Sequence, residues 1–102
     1  MAVTIEDRPD DDRYEARVDG DLAGILTYHR HGRRIALVHT EVPQAWEGQG
    51  IAKELAVHAL DAARRDGLEV IPSCPYVAEY VRRHPDRYAD LVPESRRAEF
   101  GL

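Results

Sequence analysis

From Arg13 to Val42 apolar and polar residues alternate with a period of two, and after Gly50 the period lengthens to between three and four. The first regime predicts strands with one wet face and the second an amphipathic helix, so the fold class is α/β. Arg13 to Asp19 is one predicted strand, set off by the preceding Pro9-Asp-Asp-Asp and followed by an Asp19-Gly20-Asp21 turn. Leu22 to Arg30 is the next. Leu22, Leu26 and Tyr28 fall on one face and Ala23, Ile25 and Thr27 on the other, and His31-Gly32 supplies the following turn. Arg34 to Val42 is the third strand. Short glycine-containing turns between neighbours make an antiparallel meander.

Ile51, Ala52, Leu55, Ala56, Ala59, Leu60, Ala62 and Ala63 form a broad apolar stripe, which predicts a helix of about four turns lying on the sheet. Arg64 and Arg65 suit its carboxyl end, and Gly67 is its C′ residue. Leu68 to Ile71, closed by Pro72, is a short fourth strand. Joined to the third strand through a helix, it should lie parallel to it by a right-handed crossover. Pro75 to His84 reads as a shorter helix with Val77, Tyr80 and Val81 on one face and Pro85 at its end, and Pro93 to Glu99 as one more short helix.

With 102 residues there is room for one hydrophobic core, so a single domain over 1–102 is expected, with 1–12 a flexible or edge-strand acidic start. The net charge of −5 comes largely from Glu6 to Asp12 and argues against nucleic acid as a partner, despite Arg33, Arg34, Arg64, Arg65, Arg82 and Arg83. Cys74 is the only cysteine, which excludes an intrachain disulfide and suits a reducing compartment. No apolar run approaches the length of a membrane span, and the start lacks the basic and apolar regions of a secretion signal, so a cytoplasmic protein without membrane contact is expected. His29, His31, His58 and His84 are not spaced as ligands, and no metal is expected.

Glu47-Gly48-Gln49-Gly50-Ile51-Ala52 separates the end of a strand from the start of the main helix. Glycines there let the backbone approach a ligand, and the first helical N–H groups form the positive end of the dipole, which is an anion site suited to a pyrophosphate. The plainer reading of Gly48 and Gly50 is a tight loop. Two rival phosphate motifs fail on spacing: a Walker A loop needs lysine after the second glycine, where Ile51 stands, and a dinucleotide fingerprint needs glycine or alanine where Lys53 stands. Lys53 is placed to meet a phosphate, or is simply solvated.

His39-Thr40-Glu41-Val42-Pro43, Gly48-Gln49-Gly50-Ile51-Ala52, Val70-Ile71-Pro72-Ser73-Cys74-Pro75-Tyr76 and Arg83-His84-Pro85, in this order, resemble the small single-domain GNAT-like proteins of the YjdJ type, over about Leu22 to Val92. The resemblance implies a truncated GNAT acyl-CoA N-acyltransferase fold, a mixed, mostly antiparallel sheet with a central crossover helix and short carboxyl-terminal helices. It also implies acetyl-CoA or coenzyme A as co-substrate, bound by Val42, Gly48, Gln49, Gly50, Ile51, Ala52 and Lys53. The superfamily pattern Gln/Arg-x-x-Gly-x-Gly/Ala is met at Gly50 and Ala52, but its first position holds Glu47, whose carboxylate repels a pyrophosphate. Pantetheine is implied to lie where the third and fourth strands diverge, along His39 to Val42, with Val38, Val42 and Ile71 as suitable linings.

Acyl transfer from a thioester needs a nucleophile, a proton acceptor and a donor for the developing oxyanion. Cys74, between a strand end and a helix start, is a candidate nucleophile because a helix amino end favours a thiolate; the alternative is a buried, inert thiol. Relatives of the resembled type tend to carry a cysteine there. His39 and Glu41, two apart on a strand, share a face and suit a base and its orienter, or are polar residues at a wet strand end. The resemblance implies that a carboxylate at the Glu41 position takes a proton from an amine through water, and that a tyrosine near Tyr76 protonates a leaving thiolate; Tyr76 and Tyr80 are equally placed for packing. Two functions follow: N-acetyl transfer to an unidentified amine, small molecule or protein, directly or through Cys74, or a non-catalytic module that binds coenzyme A or another protein.

Overall fold

The computed structural model describes residues 2–102. Five strands form one sheet in the order β1 (Val3–Arg8), β2 (Arg13–Val18), β3 (Asp21–His31), β4 (Arg34–Glu41) and β5 (Glu69–Ile71). β1 to β4 are antiparallel neighbours, and β5 runs parallel to β4. The acidic start is thus an edge strand, and the meander has four strands.

Two-residue loops make the β2–β3 and β3–β4 hairpins. Asp19 and Gly20, at φ 52° and 85°, link β2 to β3, matching a turn whose two central residues lie in the left-handed region. Gly32, at φ 60°, opens the loop between β3 and β4.

Each of these pairings contains a bulge. Ala16 faces Gly24 but Arg17 faces Leu22, so Ala23 is an extra residue on β3. The expected alternation therefore breaks there: Ala23 is buried, while Leu22, predicted to share a face with Leu26 and Tyr28, is 39% exposed. In β4, Thr27 faces His39 but Tyr28 faces Leu37, which makes Val38 the extra residue.

The helix α1 (Ile51–Arg65) crosses the inner face of the sheet with Leu55, Ala56, Ala59, Leu60 and Ala63 buried. It ends as its sequence predicts: the Gly67 N–H donates to the Arg64 carbonyl and the Leu68 N–H to that of Ala63, a Schellman closure with Gly67 at φ 68°. Its first turn lies very close to β3, where a Cβ on Gly24 would come within 2.9 Å of Ile51 Cγ2.

Beside α1 lie α2 (Pro75–Arg83) and the single turn α3 (Pro85–Tyr88), joined to it by one core that runs from Tyr14 to Val92. Across the contact with α1, Tyr88 Oη donates to Asp61, and at the surface Arg64 donates to Asp90. The expected last helix is a run of 3-10 turns at Glu94–Phe100. Among the described residues no helix is long and apolar enough to cross a membrane.

Candidate functional site

The site grows from the way β4 and β5 part. β5 pairs only through Arg34 to Ala36, after which the chain turns away at Pro72 and the Cys74 N–H donates to the Leu37 carbonyl at 2.7 Å. Val38 to Glu41 therefore extend past β5 with no strand on that side. After Glu41 the chain makes a 3-10 turn at Gln44–Trp46 and enters α1 through two glycines at φ 77° and 79°, Gly48 and Gly50. Gly50 is the N-cap and has no side chain with which to bond the first turn. The first helical hydrogen bond runs from the Glu54 N–H to the Gly50 carbonyl at 3.0 Å. The N–H groups of Ile51, Ala52 and Lys53 thus point outward without an acceptor among the described residues, at the positive end of a four-turn dipole.

A cavity of about 260 Å³ opens over this turn. Of the residues expected from sequence to hold the coenzyme, Val42, Gly48, Gly50, Ile51, Ala52 and Lys53 line it, while Gln49 does not. Trp46, Glu47 and Tyr76 complete the wall. Cβ atoms built on Gly48 or Gly50 meet nothing within 4 Å, so both glycines keep the space open as well as permit the turn. Trp46 was not singled out from the sequence. Its signal is an aromatic residue between the strand end and the glycine loop, which carries weight only once the 3-10 turn brings it beside Val42. Tyr76, 41% exposed in the first turn of α2, has its phenol pKa raised, chiefly by burial and then by the neighbouring Tyr80, so it holds its proton at neutral pH.

A second cavity, about 390 Å³, is lined by Arg13, Leu22, Gly24, Ile25, Glu41, Val42 and Pro43. Val42 belongs to both cavities, so they adjoin at the end of β4. A larger groove of about 510 Å³ lies between β1 and α1, lined by residues such as Val3, Ile5 and His58, and contains none of the predicted site residues.

The sheet separates the residues proposed for chemistry. His39 faces Thr27 and Glu41 faces Ile25 on the outer surface, where both are exposed. Thr40, between them, points the other way, opposite Leu26 in the core, and its Oγ1 is 3.2 Å from Cys74 Sγ. Cys74 is 3% exposed and lines neither cavity. His39 and Glu41 are thus together on one face, and the Cys74 thiol is on the other. Of the three apolar linings expected for the pantetheine channel, Val42 lines a cavity, Val38 is 45% exposed at its bulge, and Ile71 is buried.

A meander, a crossover helix with an open amino end, and a strand that parts from its neighbour there define an acyl-CoA transferase type of fold. The model of the GCN5-related N-acetyl-transferase family matches residues 13–91, and the chain belongs to that family. The chain is 42% identical over 76 residues to Protein NATD1 of Mus musculus, an alignment covering 72% of this chain and 68% of that one. It is 45% identical over 62 residues to Protein NATD1 of Homo sapiens, covering 60% and 55% respectively, so the match spans little more than half of the human relative. Among solved structures, a GCN5-like protein from Staphylococcus aureus superimposes with a TM-score of 0.63 at 24% identity, covering 88% of this chain and 87% of that one. A ribosomal-protein-alanine N-acetyltransferase from Brucella melitensis biovar Abortus 2308 gives 0.57 at 27% identity, covering 72% and 57%.

Proposed function

We propose that the chain, placed within its family beside the YjdJ-type proteins, binds acetyl-CoA and transfers the acetyl group directly to an amine in the cytoplasm. The observation that carries this reading is the junction at Val42. One cavity there lies over the free N–H groups of α1, the other holds the Glu41 carboxylate, and the unpaired edge of β4 runs past both. Backbone amides of Gly50 to Lys53 hold the pyrophosphate, and the edge at Val38 to Val42 aligns the pantetheine arm. Glu41 takes the proton from the ammonium, through water, with exposed His39 two residues away as its orienter. The freed amine nitrogen attacks the thioester carbonyl carbon, the N–C bond forms as the C–S bond breaks, the departing thiolate takes the Tyr76 phenolic proton, and the second proton lost by the nitrogen passes through water to the Tyr76 phenolate. An acetyl-Cys74 route needs the buried thiol to leave Thr40, and direct transfer does not.

Calorimetry with millimolar coenzyme A tests binding. Heat of binding in the wild type and its loss in Gly50→Trp, with the fold retained, are expected; no heat in the wild type overturns the proposal. Glu47 on the cavity wall favours a second reading, a binding module without turnover. Incubation with acetyl-CoA and a panel of amines separates the two, since only an enzyme releases free thiol faster than the same mixture without protein.

A further inference from the structure

The cavity that holds Glu41 has a polarity of its own. Glu15 on β2, Ile25 on β3 and Glu41 on β4 are in register across three adjacent strands, all on the outer face of the sheet. Glu15 is buried although charged, because Arg13 donates to its Oε2 through Nε and Nη2 at 2.9 and 2.6 Å and Arg17 donates to its Oε1 at 2.9 Å. Arg13 is thereby drawn over Glu15, level with Ile25, and its Nη1 has no partner among the described residues. Two guanidinium groups share the Glu15 carboxylate, and Glu6 balances the second of them from the far side of Arg17 at 3.4 Å, so the donor that this corner offers the cavity is the free Nη1 of Arg13. The opposite wall, two strands away, carries Glu41, whose carboxylate has no partner among the described residues. Between them the surface is apolar: Ile25 in the centre, and Leu22 turned outward by the Ala23 bulge when its sequence phase would have buried it.

We propose that this cavity binds an aliphatic primary amine that carries a carboxylate at its far end, the ammonium against Glu41, the chain over Ile25 and Leu22, and the carboxylate on Arg13. The span from Glu15, over which the Arg13 guanidinium is drawn, to Glu41 is about two strand spacings, on the order of 10 Å between backbones, which suits charges separated by several methylenes better than an α-amino acid. That such a molecule is the acetyl acceptor rests on the transfer reading above; that it binds here does not.

The test is a titration of the isotopically labelled protein, without coenzyme, with ε-aminocaproate, n-hexylamine and hexanoate, followed by the backbone amide signals. For ε-aminocaproate the largest shifts are expected at Leu22, Ile25 and Val42, with saturation about tenfold tighter than for either single-charge analogue, the loss of one charge-assisted contact. Arg13→Met should bring ε-aminocaproate to the affinity of hexylamine. Because Arg13 also supports Glu15, the surface variant Leu22→Gln serves as a second check, and it should weaken all three ligands by removing an apolar contact without adding charge. Shifts that fall elsewhere, or hexylamine binding as tightly as ε-aminocaproate, overturn the proposal. Coenzyme A titrated separately should move Gly48, Gly50 and Ile51, so failure of coenzyme binding is read at different residues from failure of this one.

Discussion

Glu47 and Lys53 line the same cavity at the start of α1, a carboxylate and an ammonium on either side of the proposed pyrophosphate position. Replacing Glu47 with Arg exchanges a repulsion for a charge-assisted contact and should tighten coenzyme A by about tenfold at low salt, and by less at physiological salt because the site is open to water. Unchanged affinity in calorimetry would mean that the side chain of residue 47 stays clear of the phosphates. The chemistry divides along the sheet. Glu41→Gln should abolish thiol release with any working amine while leaving coenzyme affinity intact, and Cys74→Ala should keep most of the turnover. A protein that gains one acetyl mass on incubation with acetyl-CoA, and loses that gain in Cys74→Ala, would reverse this assignment. The glycine loop, Glu41 and Cys74 were all visible as residues of interest in the sequence. That Cys74 is covered by Thr40 while Glu41 is open to solvent was not, because a lone cysteine reads the same way in either setting.

At the scale of elements, the placement of α1 depends on Gly24. A methyl group there would stand 2.9 Å from Ile51 Cγ2, 3.2 Å from the Glu41 carbonyl and 3.3 Å from Leu55 Cδ1. Gly24→Ala should cost about 1–3 kcal/mol in urea unfolding and also weaken coenzyme binding, since the residue pushed away is the first of α1. Equal coenzyme affinity in the variant would show that the loop absorbs the shift. Strands β2 to β5, their order of appearance, and the start and Schellman end of α1 were legible from periodicity and glycine placement, whereas the acidic start was open between a flexible segment and the edge strand that β1 is. The two bulges were not. Ala23 and Val38 are ordinary strand residues whose insertion is decided by which partner they face, and an error of one position at Ala23 puts Leu22 on the wrong side of the sheet.

Over the whole molecule, pH should act through a few groups. Hydrogen bonds from Arg13 and then Arg17 hold the Glu15 carboxyl below its ordinary pKa of 4.5. Its contribution is complete above that ordinary value and is lost as pH falls through the lower, folded one. Glu15→Gln should therefore lower the melting temperature at neutral pH and flatten its fall in acid. The surface pairs Arg64–Asp90, Arg82–Glu79 and Arg96–Glu99 are exposed and should add little. On the alkaline side, burial and then Asp7 raise the Tyr14 pKa from 10 to about 12. Tyr28, buried and donating to Asp7 at 2.6 Å, is raised further. Both phenols favour the fold while protonated, so stability should decline as pH rises above 10, and Tyr28→Phe should make that decline shallower in thermal melts.

Alternation of polarity and the helical stripe each report which face of an element is dry, and that information is local; from it alone the sequence determined a meander, a crossover helix and a glycine-opened helix start. It also marked Glu47 as the departure from the coenzyme-binding pattern. Only the tertiary structure decided that β5 leaves β4 after three pairs, that the two bulges turn Leu22 outward and put His39 and Glu41 on the outer face, and that Val42 is shared by two cavities. It alone placed Arg13 and Glu41 on opposite walls of one of them. Those facts depend on contacts between residues far apart in the chain, Ile25 with Glu41 or Leu37 with Cys74. No period along the sequence encodes such pairs, because register and the angle between packed elements are settled only when the core closes.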